Sequence, residues 1–289
     1  MKFKKVELSD FFDLQKMLSA YDGRLCDCSP ANLVMWRGYY DISVWQEGED
    51  YAIRFGEMDG VACYYCPARQ TVVDRLQKEI GGELIITCLC EEEVAWYEAH
   101  YACTQPIHDR DWDDYLYMAE DIIRLSGRRY SGQRNHINKF RANYPNAKWE
   151  SITQENAKTV IPFIRGYFHE FGREDAEVAS YEEAQLIEQM QNWEGYGQKG
   201  GMLTVNGEIV GFSVGEIVGD TLIVHTEKAN TAYLGVYPAL VQAFAQAYAT
   251  ECAYINREED CGVAGLRTSK LSYHPIEIRK KYYLTIKGE

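Results

Sequence analysis

A chain of 289 residues, 46% hydrophobic and 13% aromatic, has enough apolar mass for one large or two ordinary cores, so a coreless chain is excluded. Its formal net charge of -14, from 30 basic and 44 acidic residues, argues against a broad nucleic-acid face and leaves room only for local basic sites. Membrane insertion is not expected, because no apolar run approaches the roughly 18 to 20 residues a spanning helix needs. Glu7, Asp10 and Asp13 interrupt any export segment, and a cytoplasmic location follows as the expectation.

In chain order, residues 9–18 predict an amphipathic helix capped by Ser9, with Phe12, Leu14, Met17 and Leu18 apolar. Residues 51–56 and 61–66 predict a tyrosine-rich hairpin around Glu57-Met58-Asp59-Gly60. A helix over 71–80 should stop at Gly81-Gly82, with a strand over 84–89 behind it. The polar, unpatterned stretch Ile107-His108-Asp109-Arg110-Asp111 marks a boundary, dividing the chain into 1–110 and 111–289. Beyond it, 153–171 and 181–193 predict helices. Strands over 201–205, 208–217 and 221–226 follow, joined by Asn206-Gly207 and Gly219-Asp220 turns. A helix over 238–250 carries Pro238 in its first turn, and a strand over 253–255 closes the pattern. Periodicity alone yields mixed α/β.

Nine cysteines without an export signal read as reduced thiols. Cys26-x-Cys28, Cys63-x-x-Cys66 and Cys88-x-Cys90 match no standard zinc spacing in full. The last two pairs sit in strand patterns, where cysteine serves as a small apolar residue, and no metal is expected.

Between Ile122 and Lys148 there is no acid, yet Arg124, Arg128, Arg129, Arg134, His136, Lys139 and Arg141 are there. Guanidinium forks, amides and aromatic rings in one stretch suit a bound phosphate or carboxylate; the competing reading is a solvated basic helix face. A second cluster, Asn256-Arg257-Glu258-Glu259-Asp260, leads to Arg267, Lys270 and Tyr273. Its acids can equally neutralise its cations in buried ion pairs between the two halves.

Taken together, 121–140, His225-Thr226-Glu227-Lys228-Ala229 and 256–275 resemble the C-terminal catalytic domain of phosphatidylglycerol lysyltransferases, over nearly the whole chain from Cys28 to Leu284. The resemblance implies an α/β (α+β) fold of two tandem GNAT-like (acyl-CoA N-acyltransferase) units with mixed, largely antiparallel sheets. It also implies a transferase moving an acyl or aminoacyl group from coenzyme A or aminoacyl-tRNA to an amine. The donor's phosphates would lie on Lys228, Ala229, Thr231, Leu234, Gly235, Val236 and Tyr237, where helix-start N–H groups bind anions. Tyr237 departs from the family pattern, which has a small residue there.

Arg134, Asn135, His136, Asn138, Lys139, Asn256, Arg257, Arg267 and Lys270 are the candidate anion ligands, and Arg134, Lys139, Arg267 and Lys270 are expected to converge on one cleft. Glu227, at the expected strand end, is the first candidate base and Tyr273 the candidate acid; His225 and His136 are further possibilities. Valine at Gly235 should then weaken donor binding while sparing the fold. The rival reading is a catalytically silent binding module that kept the fold and an anion pocket.

Overall fold

The computed structural model describes residues 1–21, 25–171 and 176–288. The first half holds β1 (Lys4–Lys5), α1 (Phe11–Met17), α2 (Pro30–Met35), β2 (Ser43–Glu47), β3 (Asp50–Met58), β4 (Val61–Tyr65), α3 (Gln70–Ile80), β5 (Leu84–Leu89), α4 (Glu91–His100) and β6 (Ile107–His108). The second half holds β7 (Asp114–Met118), α5 (Ala119–Arg124), α6 (Ser131–Asn143), β8 (Lys148–Ser151), α7 (Ile161–Phe171), α8 (Ala176–Gln191), β9 (Lys199–Val205) and β10 (Glu208–Val218). It continues through β11 (Thr221–Ala229), α9 (Val236–Tyr248), β12 (Tyr254–Asn256), α10 (Ala264–Leu271), β13 (Glu277–Arg279) and β14 (Tyr282–Ile286).

These strands form two seven-stranded sheets, ordered β1-β2-β3-β4-β5-β14-β6 and β13-β7-β12-β11-β10-β9-β8. Each contains the same unit: an antiparallel hairpin (β3 and β4; β10 and β11), a helix (α3; α9), and a strand that returns parallel to the hairpin's second strand (β5; β12). The turns Asp59-Gly60 and Asn206-Gly207 have positive φ at both residues, the backbone a tight hairpin demands.

Alternating side chains feed opposite faces of each sheet. Ile53 and Tyr65 pack with α1 and α2, whereas their neighbours Ala52 and Tyr64 pack with α3 and α4. In the second sheet Leu203, Leu222 and Val224 meet α5, α6 and α9, whereas Met202, Phe212 and Val214 meet α7 and α8. Helices thus cover both faces of both sheets.

Several expectations change. The first helical turn starts earlier than Ser9: Asp10 accepts the N–H of Glu7 at 3.0 Å, and a 3-10 turn over Leu8–Asp10 leads into α1. Helix 153–171 is shorter, because residue 153 opens a turn in which Asn156 takes its N–H at 2.8 Å. β11 runs two residues past Glu227, with Ala229 opposite Gly211. The last strand, β14, is placed in 111–289 by chain order but lies in the first sheet between β5 and β6, with Leu284 and Ile286 in that sheet's core. No helix among the described residues is long and apolar enough to cross a membrane.

Candidate functional site

β11 and β12 pair only at Thr221↔Tyr254, Leu222↔Ile255 and Ile223↔Asn256, after which they part. A bulge in β11 shapes what faces the gap. Val214 stands opposite Thr226 and Gly215 opposite Val224, so His225 is the extra residue. Regular alternation would put His225 and Glu227 on one face. The bulge sends Glu227 to the α9 side, beside Leu222, Val224, Val241 and Phe244, and His225 away from it, between Glu216 and Glu258.

In the wedge, Glu227 Oε2 accepts from Arg257 Nη2 at 2.6 Å and Nε at 3.1 Å. Arg257 is buried, and the rings of Tyr273 and Tyr117 lie 4.8 and 5.9 Å from its guanidinium carbon. Among the described residues, its Nη1 has no hydrogen-bond partner. Burial opposes the guanidinium charge, but Glu227 outweighs it and keeps Arg257 charged. Burial pushes the Tyr273 hydroxyl up to about 12.

His225 lies between two carboxylates, with Glu258 at 2.8 Å from Nδ1 and Glu216 at 3.1 Å from Nε2. Burial disfavours its cation, and the two hydrogen-bonded carboxylates outweigh that, lifting it to about 10. The same carboxylates reach the first half: Glu216 accepts from Ala31 N at 2.9 Å and Glu258 from Asn32 at 2.9 Å. His225 is therefore a cationic rivet between halves. A raised histidine gives stability that is complete below its unfolded value near 6.5 and lost as pH rises toward 10. Wild type should thus lose on the order of a few kcal/mol more than His225→Gln between those limits, read from urea midpoints across pH. Parallel pH curves for the two proteins would refute the rivet.

A second buried cluster continues the seam. Lys281 Nζ meets Asp27 at 2.6 Å, Asp114 at 2.8 Å and Glu259 at 3.4 Å, with Cys26 Sγ at 3.3 Å. Asp114 also accepts from Cys26 N at 2.7 Å and Asn256 Nδ2 at 2.8 Å. Burial raises Asp114 to about 6 against the pull of Lys281, whereas at Glu259 the charges of Lys281 and Lys270 overcome burial and hold the carboxyl at about 2. Cys26, Asp114 and Glu259 are close enough to ligate one ion, but the ammonium of Lys281 contacts all three.

The expected convergence of four cations does not occur. Arg134 donates to the carbonyls of Leu125 at 2.5 Å and Gly127 at 2.7 Å, closing the turn before α6. Arg267 is held by Asp260 at 2.7 and 2.9 Å and by Asp111 at 2.5 Å. Lys270 is buried against the carbonyls of Arg257, at 2.6 Å, and Glu259. Asn256 is buried too, holding Asp114 and the N–H of Glu258. Asn135, His136, Asn138, Lys139 and Arg141 remain exposed along α6, with Arg128 and Arg129 before it.

The loop after β11 is also largely self-satisfied. The N–H groups of Asn230, Ala232, Tyr233, Leu234 and Val236 bond to Val210 O, Asn230 Oδ1, Asn230 O, Tyr144 hydroxyl and Tyr233 O. Lys228 pairs with Glu182 at 2.8 Å. Thr231 and Leu234 are exposed, and Tyr237 is half-buried with its hydroxyl 3.5 Å from that of Tyr167. Gly235 has φ 84°, and a Cβ there would stand 2.2 Å from the carbonyl oxygen of His136. The backbone it must let approach belongs to α6, so valine would break the packing and the fold is not spared.

Sequence reading missed Asp27, Asp114, Glu216 and Lys281 and read Cys26 only as half of a cysteine pair, because Cys26-Asp27, Asp114, Glu216 and Lys281 lie far apart in the chain and carry no shared spacing. The Asp113-Asp114 pair, acids at the head of a buried strand, was the one visible signal.

Two sheets that each return a parallel strand across a helix, the second parting over a charged pair, define a tandem GNAT-like acyltransferase architecture. The phosphatidylglycerol lysyltransferase C-terminal family matches residues 20–285, and the chain belongs to that family. A conserved protein of unknown function from Bacteroides thetaiotaomicron VPI-5482 is 30% identical, with 99% of this chain and all of that one aligned at a TM-score of 0.89. The structure of L-PGS from Bacillus licheniformis shares the fold at a TM-score of 0.65 and 14% identity, covering 98% of this chain and 93% of that one. An uncharacterised protein of Mycoplasmoides gallisepticum is 24% identical over 196 residues, 67% of this chain, and the match spans 62% of that relative's length.

Proposed function

We propose that this protein moves an acyl or aminoacyl group to an amine, with its reaction centre at the wedge between β11 and β12. The observation that carries this reading is Arg257: a buried guanidinium with Nη1 unpartnered, aligned by Glu227 where the strands part. A fixed charged donor in a water-poor site is what a developing oxyanion requires. Both Arg257 bonds fall on Glu227 Oε2, which leaves Oε1 to take the amine's proton. Tyr273, raised to about 12, suits the return of a proton to an alcohol leaving group better than to a thiol, because an alkoxide is the stronger base.

That chemistry, together with the family's lysyltransferase name, favours an aminoacyl ester such as aminoacyl-tRNA as donor over a coenzyme A thioester. The occupied amides of the loop after β11 point the same way, since they offer few donors to a pyrophosphate. The exposed Arg128, Arg129, His136, Lys139 and Arg141 would meet the nucleic-acid phosphates. Tyr117 and Tyr273 pack over the guanidinium, so entry of the carbonyl needs the wedge to part.

The test presents charged tRNAs and acyl-coenzyme A thioesters with candidate amines and follows transfer. Glu227→Gln should keep donor binding and slow turnover by about a hundredfold, whereas Arg257→Lys, which loses the fork, should slow it with little change in acceptor affinity. Equal loss of binding in both variants would make the pair purely structural. The second reading, a silent module with an anion pocket, rests on Arg134, Arg257, Arg267 and Lys270 being held by the protein's own acceptors, which leaves only the exposed cations of 128–141 for an anion. Absence of transfer and of saturable donor binding would establish it.

A further inference from the structure

The first sheet has a bulge of its own, in β5. Tyr282 of β14 stands opposite Leu89 and Leu284 opposite Ile86, so two steps along β14 answer three along β5. Within the bulge Cys88 takes φ 58°, a left-handed backbone that a non-glycine residue seldom adopts. One side chain is redirected by it. Regular alternation would put Cys88 with Leu84 and Ile86 in the core that α3 and α4 cover, and Leu89 does return to that core. Cys88 is instead buried in the opposite core, with Tyr51, Ile53, Tyr65 and Cys28. There the thiols of Cys28 and Cys88 meet in a hydrogen bond.

Cys28 also has a place in the seam between the halves. It lies in 26–32, the segment that brings Cys26 to Asp114 and Lys281, Asp27 to Lys281, Ala31 to Glu216 and Asn32 to Glu258. A bond that holds Cys28 therefore holds the first half's side of those contacts. Cys88, for its part, sits on a strand paired on both sides, by β4 and by β14. Joining the two sulfurs would tie the seam segment to the interior of the first sheet.

We propose that Cys28 and Cys88 form a reversible redox site, closed to a disulfide by a peroxide and reopened by a dithiol, whose state sets how firmly segment 26–32 is held at the seam. Cys88 is 9% exposed and Cys28 0%, so the oxidant reaches Cys88 first. The Cys88 sulfur attacks one peroxide oxygen, giving a sulfenic acid and one water. The Cys28 sulfur then displaces that hydroxyl, which leaves as a second water with the Cys28 proton. Two thiols thus lose two electrons and two protons, and one hydrogen peroxide becomes two waters. Burial pushes the Cys28 thiol up, so the second step is the slower. Cys63 on β4 is a competing thiol, but its sulfur is turned to the carbonyl of Val61 at 3.8 Å.

The folded, reduced protein is treated with hydrogen peroxide without denaturant, blocked with N-ethylmaleimide and mapped by mass spectrometry. One crosslink, from Cys28 to Cys88, should appear, about 2 Da lighter than the two thiols and reversed by dithiothreitol. The urea midpoint of the oxidised form should rise by roughly 1 M, because the bridge closes a long loop. The amides of Cys26 and Ala31, which donate to Asp114 and Glu216, should exchange hydrogen several-fold more slowly. Cys63→Ser should leave all three effects in place, whereas Cys28→Ala and Cys88→Gly should each abolish them. Glycine accepts the left-handed backbone at Cys88, so losing the crosslink there is not losing the fold. No donor or acceptor enters the experiment, and its outcome is independent of the transferase reading. A wild type that keeps both thiols free, or that joins Cys88 to Cys63, overturns the site. A Cys28 to Cys88 crosslink that leaves exchange at Cys26 and Ala31 unchanged overturns its hold on the seam.

Discussion

Replacing Lys281 with methionine is expected to lower the unfolding free energy by about 3 to 5 kcal/mol, the cost of removing one partner from a buried ionic cluster. Asp27, Asp114 and Glu259 gather around that ammonium, which is 7% exposed. Without it their charges face one another at low dielectric, and Asp114, already raised to about 6, would take up a proton first. The double variant Lys281→Met, Asp114→Asn should therefore recover part of the loss, whereas Lys280→Met, at the exposed neighbour, should change little. Urea unfolding of the three proteins decides it; a Lys281→Met protein within 1 kcal/mol of wild type would show that the cluster does not hold the halves together.

Alanine at Gly235 should cost about 3 kcal/mol, and valine more. Two effects add: a non-glycine residue at φ 84° is strained by roughly 1 to 2 kcal/mol, and its Cβ would sit 2.2 Å from His136 O and 3.2 Å from Phe140 Cβ, forcing α6 from α9. The check is the urea midpoint of Gly235→Ala beside that of Gly207→Ala, which shares a positive φ but whose Cβ would meet nothing within 4 Å. Equal losses at the two positions would mean that the close approach of the helices carries no energy.

The hairpins and the helices behind them were legible because turn chemistry and apolar period act locally. Asp59-Gly60 and Asn206-Gly207 announce left-handed turns, and Gly81, at φ 70°, ends α3 where the sequence stops it. Glu227 was legible as a carboxylate beside the loop, but its partner was not, since nothing in 225–229 points to Arg257. The basic clusters misled for a physical reason. A cation count records charge and not its acceptors, and the carbonyls of Leu125, Gly127, Arg257 and Glu259 that take up Arg134 and Lys270 leave no trace in composition. The bulge that turns His225 away from Glu227 is equally silent, because it depends on register across two strands.

β14 gives the chain an order of assembly. Leu84 of the first half pairs with Ile286, so the first sheet cannot close its hydrogen-bond ladder until residue 286 has been synthesised. During translation β5 presents an open edge and the apolar pocket for Leu284 and Ile286 faces water, while residues 114–279 can already complete the second sheet. The first sheet is thus finished after the second, and β14 acts as a clasp whose closure spans the other half. A chain cut before Tyr282 would keep the strands of the wedge, yet release the β5 edge for pairing with another molecule.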